Sequence, residues 1–248
     1  MKFSICLFFV SCVLVIPVMA LTADQIIDRV DQNMNYISAQ YNGKMIIHIG
    51  DEVREKKMVS YSKGRTKAFT EFLSPARDKG TRYLKMDDNM WMYLPSVEKV
   101  IKIAGHMLRQ SMMGSDFSYE DALEAIKLRE KYSARVTGSD KFDGRDCYLL
   151  DLIAKVKQVT YYRRKIWIDK KMFIGLKEEL YAKSGKLLKV ATATDIKRFG
   201  KRNYPTKMVI KNMLRKNSYT EFLLTNIKFD IMLADDIFTL RNLKRGVK

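Results

Sequence analysis

The strongest constraint on this chain is its hydrophobic period. From Tyr41 onward apolar and polar residues alternate with a period of two, broken at intervals by turn-forming residues. Side chains that point alternately to two faces are what a β-strand produces. Successive segments of this kind joined by short polar turns specify a meandering antiparallel sheet. The alternation predicts strands near 42–49, 53–62, 65–73, 80–86, 90–94, 98–103, 132–138, 146–154, 158–168, 173–182, 186–198, 204–215 and 218–229. Between them stand Lys63-Gly64, Asp87-Asp88-Asn89, Asp143-Gly144, Ser184-Gly185 and Asn217-Ser218, residues suited to tight turns. In 204–215, Lys207, Lys211 and Arg215 share one face while Met208, Ile210 and Leu214 share the other, so one side is expected wet and one buried. A sheet of this many strands must curl or close, and its apolar face must be covered.

Two stretches with helical spacing can supply that cover. In Leu21 to Ile37, Thr22 and Gln25 have capping-box spacing, Leu21 and Ile26 can staple the start, and Ile26, Ile27, Val30, Met34 and Ile37 fall on one face. The meander is interrupted between Gly105 and Tyr132. There His106 to Met113 reads as a short Met-rich helix ending at Gly114, and Ser118-Tyr119-Glu120-Asp121 opens a second helix with Tyr119, Ala122, Leu123 and Ile126 on its apolar face. The expected fold is α+β, mainly β: a strongly curved antiparallel sheet with helices packed into its concavity.

The first residues address compartment. Lys2 precedes an apolar run from Phe3 to Ile16, then Pro17 and the small-residue pattern Val18-Met19-Ala20, which reads as a secretory signal over 1–20 followed by one domain over 21–248. The run falls short of the roughly 20 residues that a membrane span needs. Cys12 is a poor lipidation site because Val13-Leu14-Val15-Ile16 follows it. Cys6 and Cys12 leave with the signal, so Cys147 alone remains and no internal disulfide is available. The chain has 46 Lys+Arg against 28 Asp+Glu, a formal charge of +18. For an exported chain that excess points to anionic headgroups and envelope polymers, or to a solvated Lys-rich surface, and not to nucleic acid.

Catalytic signals are sparse. His48 and His106 have no metal-ligand spacing to each other or to Cys147, His48 alternates in a strand, and Cys147 sits among Tyr148, Leu149 and Leu150 as a buried thiol would. The acidic pairs Asp87-Asp88, Glu178-Glu179 and Asp235-Asp236 lie in turns or point to opposite strand faces. No nucleotide-binding or nucleophile-elbow motif occurs, and no catalytic residue, metal or cofactor is assigned. What stands out is soft apolar chemistry: Met86, Met90, Met92, Met107, Met112 and Met113, interleaved with Tyr83, Trp91, Tyr93 and Phe117. Flexible, polarizable methionine suits either a lining that adapts to acyl chains or an irregular dry core. Alternation puts Trp91 and Tyr93 on one face of their strand and Met90, Met92 and Leu94 on the other.

Several of these segments together resemble the LolA-like family of periplasmic lipoprotein-sorting carriers, in its larger outer-membrane lipoprotein-sorting branch. The resemblance is carried by the signal and amphipathic helix, by Met90-Trp91-Met92-Tyr93-Leu94-Pro95-Ser96-Val97-Glu98-Lys99-Val100, by Met112-Met113-Gly114-Ser115-Asp116-Phe117-Ser118-Tyr119-Glu120-Asp121, and by Ala234-Asp235-Asp236-Ile237-Phe238-Thr239-Leu240, similar to the family's closing strand. It implies an incomplete antiparallel β-barrel wrapped over covering helices and a non-enzymatic, cofactor-free role as a monomeric periplasmic carrier or chaperone for acyl chains. The implied partners are acylated lipoprotein or lipid cargo, an inner-membrane permease or ABC-type complex, and an outer-membrane acceptor. Met90, Trp91, Met92, Tyr93 and Leu94 are the expected cavity strand. Met107, Leu108, Met112, Met113, Phe117, Tyr119 and Leu123 belong to an expected lid over Gly105 to Ile126, with Gly105 and Gly114 as hinges. The arginine that latches the lid in the best-known carriers has no obvious counterpart, although Arg65, Arg77 and Arg82 are available. The alternatives are an outer-membrane β-barrel or structural envelope protein, and an exported hydrolase without a recognisable motif.

Overall fold

The computed structural model describes residues 21–124, 128–157 and 159–247. The segment 1–20 expected as a signal, Gln158 at the start of a predicted strand, Ile126 of the expected lid and the terminal Lys248 lie outside the described residues. Helix α1 (Ala23–Met34) comes first, followed by six strands: β1 (Ser38–Ile49), β2 (Glu52–Lys63), β3 (Lys67–Ser74), β4 (Arg82–Met86), β5 (Asn89–Leu94) and β6 (Lys99–Ile103). An insert follows, built from two 3-10 turns (Gly105–Arg109 and Met112–Gly114), α2 (Tyr119–Glu124) and α3 (Leu128–Lys131). Seven more strands complete the sheet: β7 (Tyr132–Phe142), β8 (Arg145–Ala154), β9 (Arg163–Asp169), β10 (Gly175–Tyr181), β11 (Leu187–Phe199), β12 (Arg202–Asn212) and β13 (Ser218–Phe229). A 3-10 turn (Asp235–Phe238) and α4 (Leu240–Arg245) end the chain.

All the strands join one 13-stranded sheet in the order β6-β5-β4-β3-β2-β1-β13-β12-β11-β10-β9-β8-β7. Every neighbour is antiparallel, as hairpin connections require. β1 pairs β13 from Ala39↔Phe229 to Ile49↔Ser218, so the first and last strands meet mid-sheet. The edges are β6 and β7, the two strands that flank the insert. The sheet curls without closing, which is an incomplete barrel and not the closed cylinder that a membrane-spanning β-protein needs.

Each face is covered in patches. On the concave side α1 buries Ala23, Ile26 and Ile27 against Tyr132, Leu150, Leu152, Ile166 and Ile168. The expected capping box is formed: Gln25 N donates to Thr22 Oγ1 at 3.2 Å, and Thr22 N donates to Gln25 Oε1 at 2.9 Å. The helix stops earlier than its periodicity suggests, because Asn35 takes extended backbone, and Ile37 is left 74% exposed instead of joining the stripe. The insert covers the concave side of β1–β6. On the convex side the C-terminal segment corrects a second expectation. Residues 235–245 form a turn and a helix, not a closing strand, because Thr239 caps α4 and Ile237, Phe238 and Leu243 bury themselves against Phe69, Leu84 and Tyr93.

The two-sided reading of 204–215 also needs amendment. β12 ends at Asn212, so Leu214 sits in a turn and is exposed, and Met208 is 41% exposed although Ile210 beside it on the same face is buried. Its cross-strand neighbours Ala193 and Phe222 show that it points to the concave side at a place the covering helices leave partly open.

Candidate functional site

The concave face of β1–β6 and the insert form one apolar cluster. Met45, Ile47, Met58, Phe72, Tyr83, Met90, Met92 and Ile103 from the strands surround Tyr119 of α2. Met107, Leu108, Met112, Met113, Leu123 and Leu94 pack against them part-buried. Gly43 makes room here, since a Cβ on it would lie 2.9 Å from Met58 Cγ. Sulfur and aromatic groups mesh: the Tyr83 hydroxyl donates to Met113 Sδ at 3.1 Å and lies 3.4 Å from the Tyr119 hydroxyl, whose ring is 5.8 Å from that of Tyr83. Burial pushes the Tyr83 phenol well above its ordinary pKa. Phe117 lies beside this cluster, edge-on to Phe222 at 5.6 Å.

The structure therefore brings together most of the residues the sequence singled out and sends Met86, Trp91 and Tyr93 elsewhere. Trp91 and Tyr93 lie on the convex face, under the C-terminal segment, because successive strand residues point oppositely. There Arg82 stacks over Tyr93 at 5.2 Å and Lys102 over Trp91 at 5.5 Å.

The insert is held by polar contacts the sequence did not reveal. The Asp116 carboxylate is buried and accepts from Ser218 Oγ at 2.8 and 2.9 Å and from Thr220 Oγ1 at 2.9 Å, while its backbone N–H donates to Thr220 Oγ1. Arg215 donates to the carbonyl of Ser115 at 3.1 Å. Asp121 forms the reciprocal cap with Ser118 expected at the start of α2, and it also takes the Lys189 ammonium from β11 and the Tyr161 hydroxyl. From β4, Lys85 donates to the Ala122 carbonyl at 2.9 Å, and burial lowers its pKa to about 8. The three arginines considered as latches have other work: Arg65 pairs with Asp31, Arg77 lies beside Asp78, and Arg82 bonds the Lys244 carbonyl.

A second part of the concave face is only half covered. Ala191 and Ala193 of β11, Met208 of β12 and Phe222 and Leu224 of β13 share it, as their cross-strand pairing requires, and none of the five is buried. The small residues of Val190-Ala191-Thr192-Ala193-Thr194 leave room above the strand, a signal that was readable in the sequence. Where the insert meets β11 and β12, a cleft of about 190 Å³ opens between Arg109, Glu120, Tyr161, Lys189 and Leu214.

The catalytic candidates stay apart. Cys147 is fully buried, and burial raises its thiol pKa, the opposite of activation. His48 is part-buried, bonded to Glu221 at 3.2 Å and stacked on Tyr219, and His106 is exposed. Among the described residues, no cluster of His, Cys, Asp and Glu could hold a metal ion.

Comparison with known proteins places this architecture. A DUF1329 family protein from Desulfovibrio piger superposes with a TM-score of 0.82 at 27% identity over 88% of this chain and 96% of its own. A putative outer membrane lipoprotein-sorting protein domain from Vibrio parahaemolyticus gives 0.81 at 27% identity over 89% and 97%. A LolA superfamily protein from Nitrosomonas europaea gives 0.74 at 24% identity over 90% and 99%, a likeness of fold. No curated protein matches at a significant level. A family model described as "Uncharacterized protein" matches residues 64–245. Because that match spans more than half of the sequence, the chain belongs to this family of uncharacterized proteins, and its fold is LolA-like.

Proposed function

We propose that this protein is a non-enzymatic periplasmic carrier that shields the acyl chains of a lipoprotein or lipid between an inner-membrane permease or ABC-type complex and an outer-membrane acceptor. The observation that carries the reading is the concave face: a half-covered apolar floor at Ala191, Ala193, Met208, Phe222 and Leu224 continues into a methionine-lined cluster capped by an insert of short turns. The relative described as a lipoprotein-sorting domain supports it. Each methylene moved from water onto such a surface contributes about 0.8 kcal/mol, so about twelve would contribute about 10 kcal/mol, enough to hold a chain through transit. In this conformation the cluster is filled by its own side chains, so cargo displaces the insert and enters where Met107, Met112 and Met113 now sit. The protein acts as a monomer released from a signal at 1–20.

The test is to purify the protein from its native envelope and identify by mass spectrometry what accompanies it. An acylated protein or a lipid, displaced by a fluorescent fatty-acid probe, is the expected result. Recovery without any acylated species, together with no probe binding, would overturn the reading.

A further inference from the structure

We infer that the rim formed by the β8–β9, β10–β11 and β12–β13 turns is a docking face for an anionic lipid bilayer. These three turns lie at the same end of adjacent strands in the sheet order. Backbone bonds tie them together: Tyr162 N donates to the Tyr181 carbonyl at 2.9 Å, and Met213 N to the Leu188 carbonyl at 2.8 Å. Their sequences are Lys155-Val156-Lys157, Lys183-Ser184-Gly185-Lys186 and Met213-Leu214-Arg215-Lys216, which contain no acid. Lys155, Lys157, Lys183, Lys186 and Lys216 are exposed, and between them Val156, Met213 and Leu214 are exposed at 41%, 41% and 55%.

Apolar residues projecting from turns and ringed by cations match the bilayer interface, where side chains of modest size enter the headgroup layer while ammonium groups meet lipid phosphates. An acidic protein surface would use the lysines but gives no reason to expose Val156 and Leu214 in separate turns. At the opposite end of the sheet four of the cations are matched by acids: Arg145 with Asp169, Arg202 with Asp230, Arg65 with Asp31 and Lys63 with Asp235. The three adjoining turns thus present a run of cations uninterrupted by acid, a feature more specific than the +18 of the whole chain.

The docking face borders the cleft, to which Leu214 contributes, and Arg215 ties it to the insert. Docking there would turn the insert toward the lipid. That orientation takes its meaning from the carrier reading, but the binding itself does not depend on it.

Sedimentation with vesicles tests the inference on the chain from Leu21, using phosphatidylcholine alone and an equal mixture with phosphatidylglycerol. Binding is expected only to the anionic vesicles and should weaken steeply between low and physiological salt. Lys183→Glu with Lys186→Glu should weaken it at least tenfold, as should Leu214→Asp, whereas Lys171→Glu with Lys201→Glu at the opposite end should change it less than twofold. Equal loss from both lysine pairs would overturn the inference in favour of diffuse charge. Absence of vesicle binding would overturn it in favour of an acidic protein partner. Each variant is also tested for fatty-acid probe binding and thermal midpoint, so a failure of docking with probe binding intact leaves the carrier reading standing.

Discussion

Replacing Asp116 by Ala should free the insert before it unfolds the protein. Two hydroxyl donors, Ser218 Oγ and Thr220 Oγ1, serve this one buried carboxylate, and all of these groups lie where the insert meets β13. A hydrogen bond to a charged group contributes about 1.5–3 kcal/mol, and part is returned because the variant no longer desolvates a charge. The net loss at the anchor is therefore about 2–4 kcal/mol. At tenfold per 1.4 kcal/mol, local opening of the insert should become about 30- to 700-fold more frequent. Hydrogen exchange reads this at the amides of Gln110, Met112, Ser115 and Tyr119, whose bonds all lie within the insert segment. Amides of β8 and β12 should change far less, and entry of a fatty-acid probe should accelerate with the insert amides. Asp116→Asn, which keeps the shape and one acceptor, should fall between the two. If insert and strand amides slowed or quickened together and tracked global stability, the insert would open only when the whole protein unfolds and could not gate the cluster.

Three further outcomes follow from the same contacts. Met90→Ser with Met92→Ser should weaken probe binding, while Trp91→Ser, on the convex face, should leave it unchanged; titration with the probe decides, and equal losses would erase the distinction between faces. Leu243→Ala should cost about 2–5 kcal/mol in denaturant unfolding because the side chain is fully buried under the C-terminal segment, with probe affinity retained in the folded protein. Lys85 has a folded pKa of about 8 against an ordinary 10.5, so between those values the unfolded chain keeps a proton that the folded one has lost. Stability should rise with pH across that window by up to about 3 kcal/mol relative to Lys85→Met, and a constant difference between the two from pH 7 to 10 would refute the assignment.

The strands were legible because burial on a sheet follows a strict alternation, and each predicted strand segment is represented in the observed sheet. The ends were less so: 204–215 runs past the last ladder pair, and whether Leu214 closes a strand or tips a turn depends on where β13 begins. The same alternation separated Met90 and Met92 from Trp91 and Tyr93, but it could not say which face was concave. That is decided by residues 235–245, remote in sequence, settling on the aromatic side. The tethers were hidden for a similar reason. Asp116 reads as an ordinary loop acid, and only the fold brings Ser218 and Thr220 to it, as it brings Lys189 to Asp121.

The meeting of β1 and β13 has a consequence for how the chain comes to be folded. β1–β6 and β7–β13 are each built from neighbouring hairpins that can form soon after synthesis, but the ladder from Ala39↔Phe229 to Ile49↔Ser218 joins residues from opposite ends of the domain. Such distant pairing carries the largest loop-closure cost and forms late. Until Ser218–Phe229 arrives, the whole outer edge of β1 presents unpaired N–H and C=O groups, a template for pairing with other chains. The seam down the middle of the sheet is thus its last joint to close, and a chain cut short before Ser218 would carry its most aggregation-prone strand at its own beginning.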